Sequence, residues 1–159
     1  MNPVKGKSAG FSLIEVLVAL VVLSIGLIGV AALFVNSLQY SGTAILRTRA
    51  VSYAEDMADR IRVNSVAGAS YVVADTGLGT DGSCNETHDT AASACNSAAL
   101  AAHDIYTWKQ ALASTSVGLP GGKASIAQDT TTSPPTYTIV VTWTERDETP
   151  AYTLIFQTP

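Results

Sequence analysis

A chain of 159 residues with a formal net charge of −4 and 47% apolar residues has room for one folded domain beyond a long apolar segment. The acidic balance disfavours nucleic-acid binding, which gains affinity by releasing counterions from neutralised phosphates. It also leaves no polybasic patch for an anionic lipid surface.

Residues 5–35 read KGKSAGFSLIEVLVALVVLSIGLIGVAALFV. Lys5 and Lys7 sit in a small-residue leader, Glu15 is the only charge of the apolar run, and none follows from Val16 to Leu46. Residues 16–35 alone would make a helix about 30 Å long, the thickness of a bilayer core. Lipid offers the backbone no partners, so such a stretch is helical despite its valines and isoleucines. Three readings compete. An ordinary anchor leaves Glu15 unexplained, because a carboxylate in hydrocarbon is costly unless paired or protonated. A secretory signal has a shorter apolar core, about 7–15 residues, closed by a small-residue cleavage site. The third reading is cleavage ahead of the apolar run, with the helix retained.

GFSLIEVLVAL favours the third. It resembles the class III signal of type IV prepilins, with Gly10 last in the leader, aromatic Phe11 first in the mature chain and Glu15 fifth. The resemblance implies that a prepilin peptidase cuts between Gly10 and Phe11 and N-methylates Phe11. It also implies that Glu15 meets the N-terminal amine of a neighbouring subunit and so sets register. A glutamate snorkelling to the cytoplasmic interface is the plainer alternative. Loss of Lys5 and Lys7 with the leader leaves 7 basic against 13 acidic side chains, a balance of −6. Arg47 and Arg49 lie as close to the apolar run as the leader lysines, so charge alone does not orient the chain. The resemblance places everything after about residue 36 outside the cytoplasm.

Nothing between residues 36 and 63 signals a stop: there is no proline, and Gly42 is the only glycine. Leu46, Ala50, Tyr53 with Ala54, Met57 and Ile61 recur at spacings of three and four, giving one apolar stripe. Asp56 with Arg60, and Asp59 with Arg62, mark a solvated, mildly paired face. The pattern predicts one helix from about residue 11 to about residue 63, roughly 80 Å by its rise. Gly26 and Gly29 are expected sites of close helix packing or of local loosening. Its apolar first half and amphipathic second half resemble the long N-terminal helix of pilins. Ala32 stands where many major pilins carry a proline, so local melting of the helix in a filament is not implied here.

Residues 64–89 are rich in Gly, Ser, Thr, Asn and Asp, with an apolar patch at Tyr71, Val72 and Val73, and read as loop. TGLGTDGS (residues 76–83) is turn-prone, but no GK[ST] follows it, which excludes a phosphate loop. Cys84 and Cys95 are the only cysteines. Placed outside the cytoplasm they are expected to form one disulfide. A zinc site of Cys84, His88, Cys95 and His103 is the alternative, although its spacing fits no standard finger.

An alanine-rich helix is predicted over residues 91–114, with Leu100, Asp104, Trp108 and Leu112 at intervals of four and Ile105 and Ala111 beside them. Trp108 is expected in the core. His103 and Asp104 are adjacent, so they cannot form a relay along one helix face, and both read as ordinary surface or capping positions. Leu119-Pro-Gly-Gly122 turns the chain. Residues 123–128 form a candidate strand. Tyr137, Ile139, Val141 and Trp143 then alternate with polar residues, and Tyr152, Leu154 and Phe156 repeat the pattern. Residues 145–150 are a charged hairpin connection, and three antiparallel strands would cover the 46–61 stripe. The cysteine pair, D-x-x-x-W-x-x-x-L helix, L-P-G-G turn and VTW strand resemble the PilV-type minor pilins, the type IV pilus modification proteins.

The expected fold is therefore α+β and pilin-like. Its parts are a leader (1–10), a membrane or filament-core helix (11–35), an amphipathic continuation (36–63) and a globular head (64–159). The resemblance implies a minor type IV pilin that helps initiate or support assembly. It would rest in the inner membrane with its head outside, then join the filament near the tip through contacts with other pilins. A minor pseudopilin of a type II secretion system shares the same features and is the alternative. An enzyme is disfavoured, since no Ser/His/Asp, Cys/His or paired-carboxylate constellation is present, and no cofactor or metal is expected. A DNA-uptake pilin is disfavoured by the charge balance, with only Lys123 and Arg146 available for a local patch.

Overall fold

The computed structural model describes residues 10–81, 84 and 95–158. Lys5, Lys7, His88, residues 82–83 and the predicted helix start at 91–94 lie outside the described residues. The chain divides into two compact units, the first ending at Gly42 and the second starting at Thr43. Helix α1 (Leu13–Val63) contributes to both.

Helix α1 begins just after Ser12, whose carbonyl accepts from the amides of Glu15 (3.0 Å) and Val16 (3.3 Å). In the first unit its apolar side chains are exposed all round, and α1 is long and apolar enough to cross a membrane. In the second unit Ala50, Ala54, Met57, Ala58 and Ile61 are fully buried, with Leu46 and Tyr53 partly buried against the same core. Three of the five buried positions are alanine, which lets the helix backbone approach its neighbours closely.

The segment after α1 departs from the loop expectation. Residues Ser65–Tyr71 form a 3-10 helix, interrupted at Gly68 (φ 51°), where a β-carbon would be strained. Tyr71 is fully buried, and Val73 forms a two-bond antiparallel bridge with Ile126. Burial of one tyrosine anchors this turn, so no helical period appeared in its sequence.

Helix α2 (Ser97–Ala113) starts where Asn96 caps it, the side-chain oxygen accepting from the Ala99 amide at 2.8 Å. That is later than the alanine-rich composition suggested, because a cap can end a run that propensity alone would extend. Ala101, Ile105, Trp108, Lys109 and Leu112 form its buried face. Past its end the chain folds back, and Leu119 donates to the Leu112 carbonyl at 2.9 Å. A β-carbon at Gly118 would lie 2.3 Å from the Leu112 oxygen, so only glycine fits this approach.

Strands β1 (Lys123–Asp129), β2 (Thr136–Thr142) and β3 (Ala151–Gln157) form one antiparallel sheet in the order β1-β2-β3. Ile126, Ile139 and Leu154 lie in one row across it. The alternating residues Tyr137, Ile139 and Val141, followed by Trp143, are buried, and Tyr137 stacks on Phe156 with centroids 5.6 Å apart. The apolar face of the sheet, the α1 stripe and α2 share one core, so the expected covering of the stripe is what the fold contains.

Candidate functional site

Two places carry chemistry, one in each unit. In the first, Gly10, Phe11 and Glu15 are all exposed, and Phe11 is 83% exposed. Glu15 stands in the first turn of α1. There its carboxylate complements the positive end of the helix dipole, worth about 0.3–1 kcal/mol at an exposed site. Along this unit Val16, Leu20, Leu23, Leu27 and Phe34 are each about half exposed or more. An apolar surface this continuous has one physical use, which is contact with lipid or with other apolar helices.

In the second unit the polar chemistry joins α1, the 3-10 turn and α2. Arg60 reaches Asp56 at 3.1 Å and Asp104 at 3.1 Å. Tyr71 donates its hydroxyl to Asp104 at 2.8 Å and accepts from Asn64 Nδ2 at 3.2 Å. Asn64 Nδ2 also donates to the Ser97 carbonyl at 2.9 Å. Burial raises the Tyr71 pKa, and the bond to Asp104 raises it further. Burial alone would lower Arg60, but Asp56 and then Asp104 more than reverse it, so its pKa is raised.

Asp104 is therefore not the ordinary surface position its sequence suggested. Neighbouring residues on a helix point about 100° apart. Asp104 turns toward Arg60 and Tyr71, whereas His103 Nδ1 lies 2.9 Å from Asp81.

Lys109 is a second polar group that sequence reading missed. Only 4% exposed, its ammonium donates to the carbonyls of Ala74 and Gly77, tying that loop to α2. Burial lowers its pKa, partly offset by Asp75. Its spacing, four after Ile105 and three before Leu112, was the available signal, since it places a lysine on the buried face.

Cys84 and Cys95 are joined in a disulfide with α-carbons 5.9 Å apart. The zinc alternative thereby loses its thiolates, and among the described residues no group of three or more metal-ligating side chains gathers. In the loop-entropy picture a closed loop this short contributes about 3 kcal/mol or somewhat less. Reduction should lower the urea midpoint of the native protein accordingly, and alkylation before reduction should find no free thiol. Stoichiometric bound zinc, with both thiols free to react on alkylation without reductant, would contradict the bridge.

Arg146 and Arg47 line a cleft of about 360 Å³ together with Glu145, Asp147 and Glu148, so each arginine there has acidic neighbours and no purely basic patch forms. Thr43 donates to Glu145 and is the main reason that carboxylate's pKa is lowered; Trp143 Nε1 adds a 3.4 Å bond.

Residues 5–31 match the family model described as the prokaryotic N-terminal methylation motif. Residues 32–106 match the model for type IV pilin Tt1218. The chain is type IV pilin-like. No curated protein and no solved structure matches it.

As a pilin-like protein the chain carries a motif that implies prepilin-peptidase processing and assembly into filaments. Its apolar helix suits membrane anchoring followed by incorporation into a pilus. The type IV pilin family is structural and not enzymatic. The Arg60–Asp104–Tyr71 cluster ties α1, the 3-10 turn and α2 to one another.

Proposed function

We propose that this pilin-like subunit is a minor type IV pilin, of the PilV type, that helps prime or support filament assembly. Cleavage between Gly10 and Phe11 removes residues 1–10 and leaves an N-methylated Phe11 amine. The helix of residues 11–35 then serves first as the membrane anchor and afterwards as the filament core. Residues 36–63 continue it into the head formed by residues 64–159. The partners are the processing peptidase, then major and minor pilins packed against the 16–35 surface, with the subunit near the filament tip.

A single observation carries this reading. The exposed, predominantly apolar helix of the first unit carries a carboxylate in its first turn, inside a segment that matches the methylation motif. A plain anchor explains the surface but gives Glu15 no partner.

Mass spectrometry of the mature protein should find an N-methylated Phe11 at its start. Gly10→Val should block cleavage altogether, because bulk at the β-carbon is refused at that position. Sheared filaments should contain this protein in small amount relative to the major subunit, and its deletion should reduce surface pili. A mature chain starting beyond the apolar run would restore the secretory-signal reading. Loss of type II secretion with piliation intact would make the protein a minor pseudopilin.

A further inference from the structure

Helix α1 carries two tyrosines, and they are placed differently. Tyr53 packs against the core of the 43–159 unit, and its hydroxyl donates to the carbonyls of Ala111 and Val117 at 3.2 Å each. Tyr40 is 77% exposed, and its hydroxyl bonds to no other described residue. Folding gives this second tyrosine no role. Its position along the helix supplies one.

Glu15 stands at one end of the apolar run and Tyr40 just past the other. The helix rise separates them by about 38 Å. A hydrocarbon layer of about 30 Å centred between them leaves each about 4 Å beyond its edge. Both then fall in the headgroup layers, which bring the whole bilayer to about 40–45 Å. An ordinary tilt of about 20° shortens the separation to about 36 Å and keeps both residues there.

The residues between them suit that placement. Ser24, the one hydroxyl well inside the layer, donates to the Leu20 carbonyl at 2.7 Å and so needs no water. Asn36, Ser37 and Gln39 lie within about one turn of Tyr40, where the hydrocarbon ends. The first charge past Glu15 is Arg47, about 10 Å further along the helix than Tyr40. A tyrosine fits the boundary because its ring meets acyl chains while its hydroxyl stays wet, which is why this residue collects at membrane interfaces.

We propose that, before assembly, Tyr40 sets the depth of α1 in the bilayer by holding its ring in the interface opposite Glu15. Its partner is the lipid headgroup layer, continuous with the acyl chains that meet the exposed apolar helix between the two residues. Depth fixed at one end of a helix is carried to the other. Tyr40 thereby also determines how far Phe11 and Gly10 stand from the far surface of the membrane. The inference rests on the helix crossing a membrane and not on the chain's being a minor pilin.

The test uses the full chain in vesicles of dioleoyl phosphatidylcholine. Cys84 and Cys95 are bridged, so Leu27→Cys, Ser37→Cys or Ser41→Cys each supplies one free thiol for a nitroxide. Relaxation by oxygen, which concentrates in hydrocarbon, against relaxation by a nickel chelate, which stays in water, reads the depth of each label. The Leu27→Cys label should be deepest and the Ser41→Cys label should lie among the headgroups. Tyr40→Leu should draw the labels at 37 and 41 about 3 Å deeper, two residues of helix rise, because leucine favours hydrocarbon where tyrosine favours the interface. Tyr40→Trp keeps an amphipathic ring and should leave both depths unchanged. Neither substitution should alter the circular dichroism. Unchanged depths in Tyr40→Leu, or an equal shift in Tyr40→Trp, would overturn the proposal. So would a Ser41→Cys label as open to nickel as a free nitroxide, which would put Tyr40 in water. Spectra broadened by neighbouring labels and sharpened on dilution with lipid would overturn it too, since Tyr40 would then pack on a second copy. A nickel-accessible label at Leu27→Cys would remove the membrane span itself, and the proposal with it.

Discussion

Asp104→Ala should destabilise the 43–159 unit by about 1–3 kcal/mol. The carboxylate is 14% exposed and holds Arg60 on one side and the Tyr71 hydroxyl on the other. Its removal leaves the buried Tyr71 hydroxyl, as donor, only the longer 3.4 Å bond to the Arg60 carbonyl and leaves Arg60 only its exposed bond to Asp56, so part of the desolvation cost of both groups goes uncompensated. Arg60 is itself 36% exposed, so water recovers part of the loss and the figure stays below that for a fully buried pair. Asp56→Ala supplies the contrast: that pair is exposed on both sides (36% and 49%) and should cost under about 0.5 kcal/mol. Asp104→Asn keeps an acceptor for Tyr71 and should fall between the two. Urea midpoints of the three variants decide it, and equal midpoints would show that the cluster holds nothing together.

The same cluster makes the head's stability fall at alkaline pH. The folded pKa of Tyr71 lies above its unfolded value, raised by burial and then by Asp104. The folded state therefore binds the proton more tightly than the unfolded chain does. That stability is fully present below about pH 10, the ordinary tyrosine value, and is lost as pH rises beyond it. Tyr137, raised by burial, contributes with the same sign. Tyr71→Phe should flatten the fall in stability between about pH 10 and about pH 12, and an unchanged slope would assign the alkaline loss elsewhere.

These residues also show where sequence reading ran out. The stripe on α1, the alternation of β2 and β3 and the burial of Trp108 were legible, because each is written in a period of 3.6 or 2 within one element. The pilin-like first unit was legible for another reason: a local motif and a long uncharged run need no tertiary context. Asp104, Tyr71 and Arg60 are 11 to 44 residues apart, and no local spacing records that they meet. Lys109 was masked by its type, since a lysine among apolar neighbours reads as exposed until two carbonyls are found at its end. The 3-10 turn was hidden because it rests on the burial of one tyrosine and one positive-φ glycine, not on a repeat. What decided the fold was periodic, and what was missed joins elements to one another.

The largest effect on assembly, as distinct from folding, is expected at Glu15. It stands in the first turn of α1, in a unit where no apolar side chain is buried, so the head gains nothing from it. Glu15→Ala and Glu15→Gln should therefore leave the thermal midpoint of the 43–159 unit unchanged. Both should also leave cleavage after Gly10 intact. If the carboxylate pairs with the N-terminal amine of a neighbouring subunit, each variant strands that amine among apolar helices. Breaking a buried pair by removing one partner costs on the order of 3–5 kcal/mol, although the intact pair gains far less because desolvation offsets its attraction. That penalty corresponds to a fall of about a hundredfold to several thousandfold in docking, far above the 0.3–1 kcal/mol due to the helix dipole. Glutamine is the informative variant, since it keeps the shape and loses only the charge. The measurement is the amount of this protein in sheared filaments, normalised to the major subunit. Wild-type incorporation of both variants would show that no amine depends on Glu15, and would leave it as a helix-starting carboxylate held at the membrane interface.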